Sequence, residues 1–259
     1  MKKITLGLST LLVSGAILSA TLVEAGETGA EYKSNGSVVF EPNTDPVDPV
    51  DPTDPEIPVD PVDPTDPEGP NPGTDGPLSI DYTSSLDFGK NKITNKNEVY
   101  FANAQTFKGD HEGEFRGNYV QVSDNRGTNA GWTLTVSQKG QFKNDAAKEY
   151  KVLTGTSIKF TQPKANSNMI ESVKAPAVSE FELDPNGAAS LVMAAAEGSG
   201  VGTWVDYFGT AEEMTVNGEV IQKNKAITLS VPGSTPKEAV EYRTTLVWTL
   251  TDTPGGEVK

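Results

Sequence analysis

The chain of 259 residues carries 21 Lys and Arg against 36 Asp and Glu, a formal net charge of −15, with no Cys and one His. Without Cys there is no disulfide scaffold, thiol nucleophile, iron–sulfur cluster or Cys-based zinc site. A lone His111 builds no multi-His metal centre, and an acidic chain without a basic cluster is a poor nucleic-acid binder.

Residues 1–25 read as an export signal. Lys2 and Lys3 precede an apolar run from Ile4 to Val23, and Val23-Glu24-Ala25 is a small-residue cleavage site, so cleavage is expected after Ala25. Ser9, Thr10, Ser14, Gly15 and Ser19 dilute the run, which argues against a retained membrane anchor, and no membrane span is expected after cleavage. Residues 26–44 are a short mature N-terminal segment.

Residues 45–77 step in threes as Asp-Pro-Val and Asp-Pro-Thr, and the decapeptide Val47 to Glu56 recurs letter for letter at Val59 to Glu68. The segment holds ten acids and no base, whereas the chain from residue 78 onward is close to balanced. Proline fixes φ and keeps the preceding Asp out of the helical region, so a disordered polyproline II stalk is expected, a linker with its carboxylates aligned along one edge. Single carboxylates without an enclosing loop make weak divalent sites, so no metal is assigned there.

From residue 78 to 259 the periodicity is mostly two. Trp132, Leu134 and Val136 alternate with Thr133, Thr135 and Ser137. Leu246, Trp248 and Leu250 alternate with Val247, Thr249 and Thr251, and Ile227, Leu229 and Val231 with Thr228 and Ser230. Turn signals at Asn129-Ala130-Gly131, Asp184 to Gly187, Asn217-Gly218 and Pro232-Gly233 separate the runs. The expected fold is all-β, an antiparallel β-sandwich of Ig-like or barrel-like form in one domain. A turn or two of helix is expected after Asn144-Asp145, and Ala188 to Glu197 suits helix or strand equally.

The motifs for chemistry are weak. Gly198 to Thr203 has Thr where a dinucleotide loop needs its third Gly, and no βαβ unit surrounds it. Glu112/Glu114 and Glu180/Glu182 are spaced for glycoside hydrolysis only if the strands bring them to a cleft; otherwise each pair lies on a solvated face. Gly-x-Ser-x-Gly is absent. No catalytic residue and no cofactor are assigned, and an enzyme is not expected. The tryptophans 132, 204 and 248 either fill the core or stack on sugar. Their company of Leu and Val favours core for Trp132 and Trp248. That turns Thr133, Thr135, Thr249 and Thr251 outward as a possible binding face, with Trp204 a further candidate.

Gly131-Trp-Thr-Leu-Thr-Val-Ser-Gln138 and Leu246-Val-Trp-Thr-Leu-Thr-Asp-Thr-Pro254 resemble the paired Trp-x-Leu signatures of the WxL domain of low-GC Gram-positive surface proteins, in its small type. Leu78 to Gly89, Leu153 to Phe160 and Gly200 to Trp204 resemble flanking segments of that family, so the likeness covers about residues 78–254. It places the signature on Trp132, Leu134, Trp248 and Leu250. It implies a secreted, cell-surface protein held non-covalently on the cell wall, through peptidoglycan or an associated wall polymer, with companion cell-surface proteins. The sequence contains no Leu-Pro-x-Thr-Gly motif, lipobox or hydrophobic C-terminal tail, which fits attachment without a covalent tether. A protein-interaction subunit, recruited to the wall by a companion without touching glycan, is the alternative.

Overall fold

The computed structural model describes residues 31–255, so the expected signal peptide and its cleavage site lie outside the described residues. Residues 31–39 form no regular element, and the chain from Phe40 folds as one compact unit. Its strands are β1 (Val50–Asp51), β2 (Asp54–Pro58), β3 (Asp60–Pro61), β4 (Leu78–Thr83), β5 (Glu98–Asn103) and β6 (Gln105–Lys108). Then come β7 (Phe115–Arg116), β8 (Tyr119–Asp124), β9 (Trp132–Gln138), β10 (Ser157–Phe160), β11 (Pro163–Asn166) and β12 (Ala177–Val178). The last six are β13 (Phe181–Glu182), β14 (Ser190–Ala195), β15 (Gly202–Phe208), β16 (Ala211–Val216), β17 (Glu219–Val231) and β18 (Leu246–Thr251).

The all-β reading holds, and among the described residues every pairing between named strands is antiparallel. The two-sheet sandwich or barrel is too simple. The strands divide into a five-stranded sheet around β17, two four-stranded sheets ordered β11-β15-β8-β4 and β12-β14-β9-β18, and two small sheets, β1-β2 and β3-β6-β7. The long β17 explains the division: β16 and then β10 pair along one edge, β5 along the other. The three larger sheets share one core that contains Trp132, Leu134, Ile158, Val192, Phe208 and Ile227.

Helix is confined, among the described residues, to one 3-10 turn at Gly109–His111. Asn144 does cap a turn, its Oδ1 accepting from Ala146 N at 2.7 Å, but no helix follows. Ala188 to Glu197 resolves as strand β14, paired with β9 on one side and β12 on the other. Two-sided pairing outweighs alanine's helix preference.

The acidic repeat is the main correction. Residues 45–77 are a strap folded onto the domain, not a free polyproline II stalk. Each identical decapeptide makes the same turn: Asp51 Oδ1 accepts from Thr53 N and Oγ1 at 2.8 and 2.7 Å, and Asp63 Oδ1 from Thr65 N and Oγ1, both at 2.7 Å. The other carboxylate oxygen is the anchor. In the first copy Asp51 Oδ2 meets the Arg116 guanidinium at 2.7 Å, and in the second Asp63 Oδ2 accepts from Ser85 Oγ at 2.6 Å. Gln121 grips the first copy twice, accepting from Val50 N at 2.8 Å and donating to Asp48 O at 3.0 Å. Val50, Ile57 and Val59 bury against Tyr82, Phe107, Tyr119, Val205 and Tyr207 as a second, smaller core. Burial of apolar side chains at about 25 cal/mol per Å², together with these anchors, outweighs the mutual repulsion of the aspartates.

Burial by itself would raise the Asp51 carboxyl, but Arg116 and Thr53 outweigh it and hold it below the ordinary 3.8. A depressed folded-state value means docking strength is complete above the unfolded value and is lost as pH falls through the folded one. Acidification below about pH 4 is therefore expected to loosen the strap, and Arg116→Ala to do the same at neutral pH, with a loss of about 1.5–3 kcal/mol in local protection. Hydrogen exchange at residues 48–60 measures both; unchanged protection in Arg116→Ala would refute the anchor.

Candidate functional site

The strand β9 alternates completely buried and half-buried residues. Trp132 and Leu134 are fully enclosed, and the Trp132 indole donates to Gly200 O at 3.0 Å. Gly200 takes φ +72°, and a Cβ there would lie 2.5 Å from Ala195 Cβ and 2.9 Å from the Trp132 indole nitrogen. The glycine-rich segment is thus the wall of the Trp132 slot, which demands both the left-handed backbone and the missing side chain. Trp204 is buried too, donating to Val201 O at 2.9 Å, which removes it from the candidate binding face. Trp248 and Leu250 are half-buried and lean on the same core.

Trp248 pairs with Val136 and Leu250 with Leu134, so the two Trp-x-Leu segments are neighbouring strands of one sheet. The alternate residues pair as well, Thr249 with Thr135 and Thr251 with Thr133, and form a four-threonine ladder on the opposite face. Thr249 and Thr251 are exposed, Thr133 and Thr135 half-buried. Three of the hydroxyl protons turn back into backbone: Thr133 to Thr253 O at 2.9 Å, Thr135 to Thr249 O and Thr251 to Thr133 O, both at 3.4 Å. What these three hydroxyls turn outward is oxygen lone pairs and methyl groups. Such a face accepts hydrogen bonds from sugar hydroxyls or amide N–H groups and offers apolar contact between them. It ends at β18, an edge strand.

A second feature was hidden by the stalk reading. The strap borders an open cleft of about 580 Å³ against the domain, lined by proline rings together with Asp48, Asp60, Tyr82, Lys108 and His111. The sequence signal for a packed strap lies in the apolar residues between the prolines, Val50, Ile57 and Val59, which a solvated stalk has no use for. In the cleft wall, burial raises the Asp81 carboxyl despite hydrogen bonds from Ser123, Ser79 and Gln121 at 2.6, 2.6 and 3.0 Å.

Of the carboxylates considered for glycoside chemistry, Glu112, Glu180 and Glu182 are exposed and Glu114 is half-buried. Glu114 is 2.5 Å from Arg116, Glu180 accepts from Gln162 N at 3.0 Å, and Glu182 accepts from Ser157. His111 Nδ1 lies 3.4 Å from Glu114. Among the described residues no three His, Asp or Glu side chains gather as a cation site, and no helix is long and apolar enough to cross a membrane.

Together these features define an all-β antiparallel domain in which paired Trp-x-Leu strands give one face to the core and a threonine ladder to the surface. The chain belongs to the WxL domain family, described as surface and cell wall-binding, which it matches over residues 27–254. The matched region starts ahead of the strap and includes it, in keeping with its packing on the domain. No curated protein and no solved structure matches the chain significantly.

Proposed function

We propose that this is an exported protein, released by cleavage after Ala25, that attaches non-covalently to the cell wall by binding peptidoglycan through the threonine ladder of β9 and β18. The observation that carries the reading is the pairing of four threonines on the outward face of the two strands that bear the family signature. Acceptor-rich oxygen atoms and methyl groups at fixed strand spacing suit the repeating hydroxyls and amides of a glycan with peptide stems. The protein binds and does not cut, and it works beside companion surface proteins.

The test is pelleting of the purified protein with protein-free sacculi. Wild type pellets, and Thr249→Glu/Thr251→Glu loses affinity at least tenfold, about 1.4 kcal/mol, with an unchanged melting temperature. Binding by hydrogen bonds tolerates added NaCl, whereas charge-driven binding weakens. A second reading rests on the edge position of β18, whose free side suits strand addition by a companion protein. Pelleting only when native wall proteins are present would establish that reading and refute direct glycan contact.

A further inference from the structure

A lysine, an asparagine and an aspartate meet on the five-stranded sheet, away from the threonine ladder. Lys223 of β17 and Asn103 of β5 are direct cross-strand partners, so their side chains share one face. Lys223 is only 4% exposed, and its Nζ donates to the carbonyls of Phe101 and Phe88 at 3.1 and 3.4 Å. Among the described residues no ion pair forms on it. Asn103 Nδ2 donates to Asp87 Oδ2 at 2.7 Å, while its Oδ1 is buried with no hydrogen-bond partner among the described residues. Asp87 is itself held by Gly89 N on Oδ1 at 2.7 Å and by its carbonyl accepting from Asn103 N at 2.7 Å. Gly89 borders both groups: a Cβ built there would be 3.3 Å from Lys223 Nζ and 3.9 Å from Asn103 Oδ1.

We propose that Lys223 and Asn103 form an intramolecular isopeptide cross-link, with Asp87 as the proton shuttle. A buried amine beside a primary amide whose nitrogen is already hydrogen-bonded to a carboxylate has the parts of an acyl transfer. Burial lowers the affinity of the Lys223 amine for its proton, against the opposing pull of Asp87, and so favours the nucleophilic form. Lys223 passes a proton to Asp87, and its lone pair forms the Nζ–Cγ bond. The Cγ–Nδ2 bond breaks as Asp87 returns a proton to Nδ2. The nitrogen leaves as ammonia, the Lys223 amine ends as a secondary amide, and no oxidant or reductant is needed. Joining β5 to β17 closes a loop on the order of 100 residues, which in a chain without Cys takes the place of a long-range disulfide.

Intact-mass measurement of the purified protein tests this. Wild type is expected to weigh one ammonia less than its sequence, and protease digestion to yield one branched peptide that joins the β5 and β17 segments. Lys223→Arg keeps a cation for the two carbonyls but no usable nucleophile, and is expected at full mass with wild-type circular dichroism and a lower melting temperature. Asn103→Ala is expected at full mass, and Asp87→Asn to accumulate uncross-linked protein. Wild type at full sequence mass overturns the proposal, as does a missing ammonia that maps to a linear peptide, the mark of succinimide formation at an asparagine. The readout is independent of wall binding.

Discussion

Trp132→Ala is expected to destabilise the domain by about 3–5 kcal/mol, measured by urea or thermal unfolding. The indole is fully enclosed, is placed by a slot that two left-handed glycines make possible, and leaves Gly200 O without its donor once removed. The cost is therefore a cavity plus an orphaned carbonyl. Gly131 is the other glycine of the slot: a Cβ there would stand 2.4 Å from Ala195 O. Gly131→Ala and Gly200→Ala should for that reason destabilise the fold although they remove no atom. Trp248→Ala should cost distinctly less than Trp132→Ala, because Trp248 is half-buried at the sheet edge. Equal sensitivity to the two substitutions, or a Trp132→Ala variant that melts like wild type, would refute the assignment of Trp132 as the core member of the pair.

The alternating runs were legible because a strand with one buried face writes its period of two directly into the chain. Trp132 to Gln138, Leu246 to Thr251 and Ile227 to Val231 all form strands, and the threonines of the first two do stand opposite the core. The pairing of the two threonine rows was not legible, since register is settled by partners distant in sequence. The strap was misread for a related reason. Proline and aspartate at a period of three dominate local reasoning, and they do dictate the Asp-Pro-Thr turns. What folds the strap back is long-range: Arg116 waiting for Asp51, Gln121 for Val50 and Asp48, and an aromatic floor for Val59. Trp204 fits the same pattern. Its neighbours Gly202, Thr203 and Asp206 carry no apolar signal, yet β15 lies between β8 and β11 and is covered on both faces, Trp204 and Phe208 by the main core and Val205 and Tyr207 by the smaller one.

Asp206 is where the chain departs furthest from local consistency, and replacing it is expected to stabilise the protein. It lies on β15 between Trp204 and Phe208 on the main-core side, opposite Val120 and Ala165, and is completely buried with both carboxylate oxygens unpartnered among the described residues. The backbone N–H of Lys164 approaches without completing a hydrogen bond. Burial, barely opposed, pushes the carboxyl well above its ordinary 3.8, so the folded protein favours the neutral acid. A folded-state value raised above the unfolded one gives a contribution to stability that is complete below about pH 4 and is lost as pH climbs toward the folded value. Wild type should accordingly lose stability across that rise, measured as unfolding free energy against pH, while Asp206→Asn removes this component of the slope. Asp206→Val, which matches the apolar residue opposite, should gain about 1–3 kcal/mol at pH 7 or above by removing an unsatisfied buried group. That gain would identify Asp206 as an uncompensated cost within the core. A Val variant less stable than wild type at neutral pH would mean that the carboxylate has a partner in the folded protein, a bound cation or an ordered water, and would refute this account.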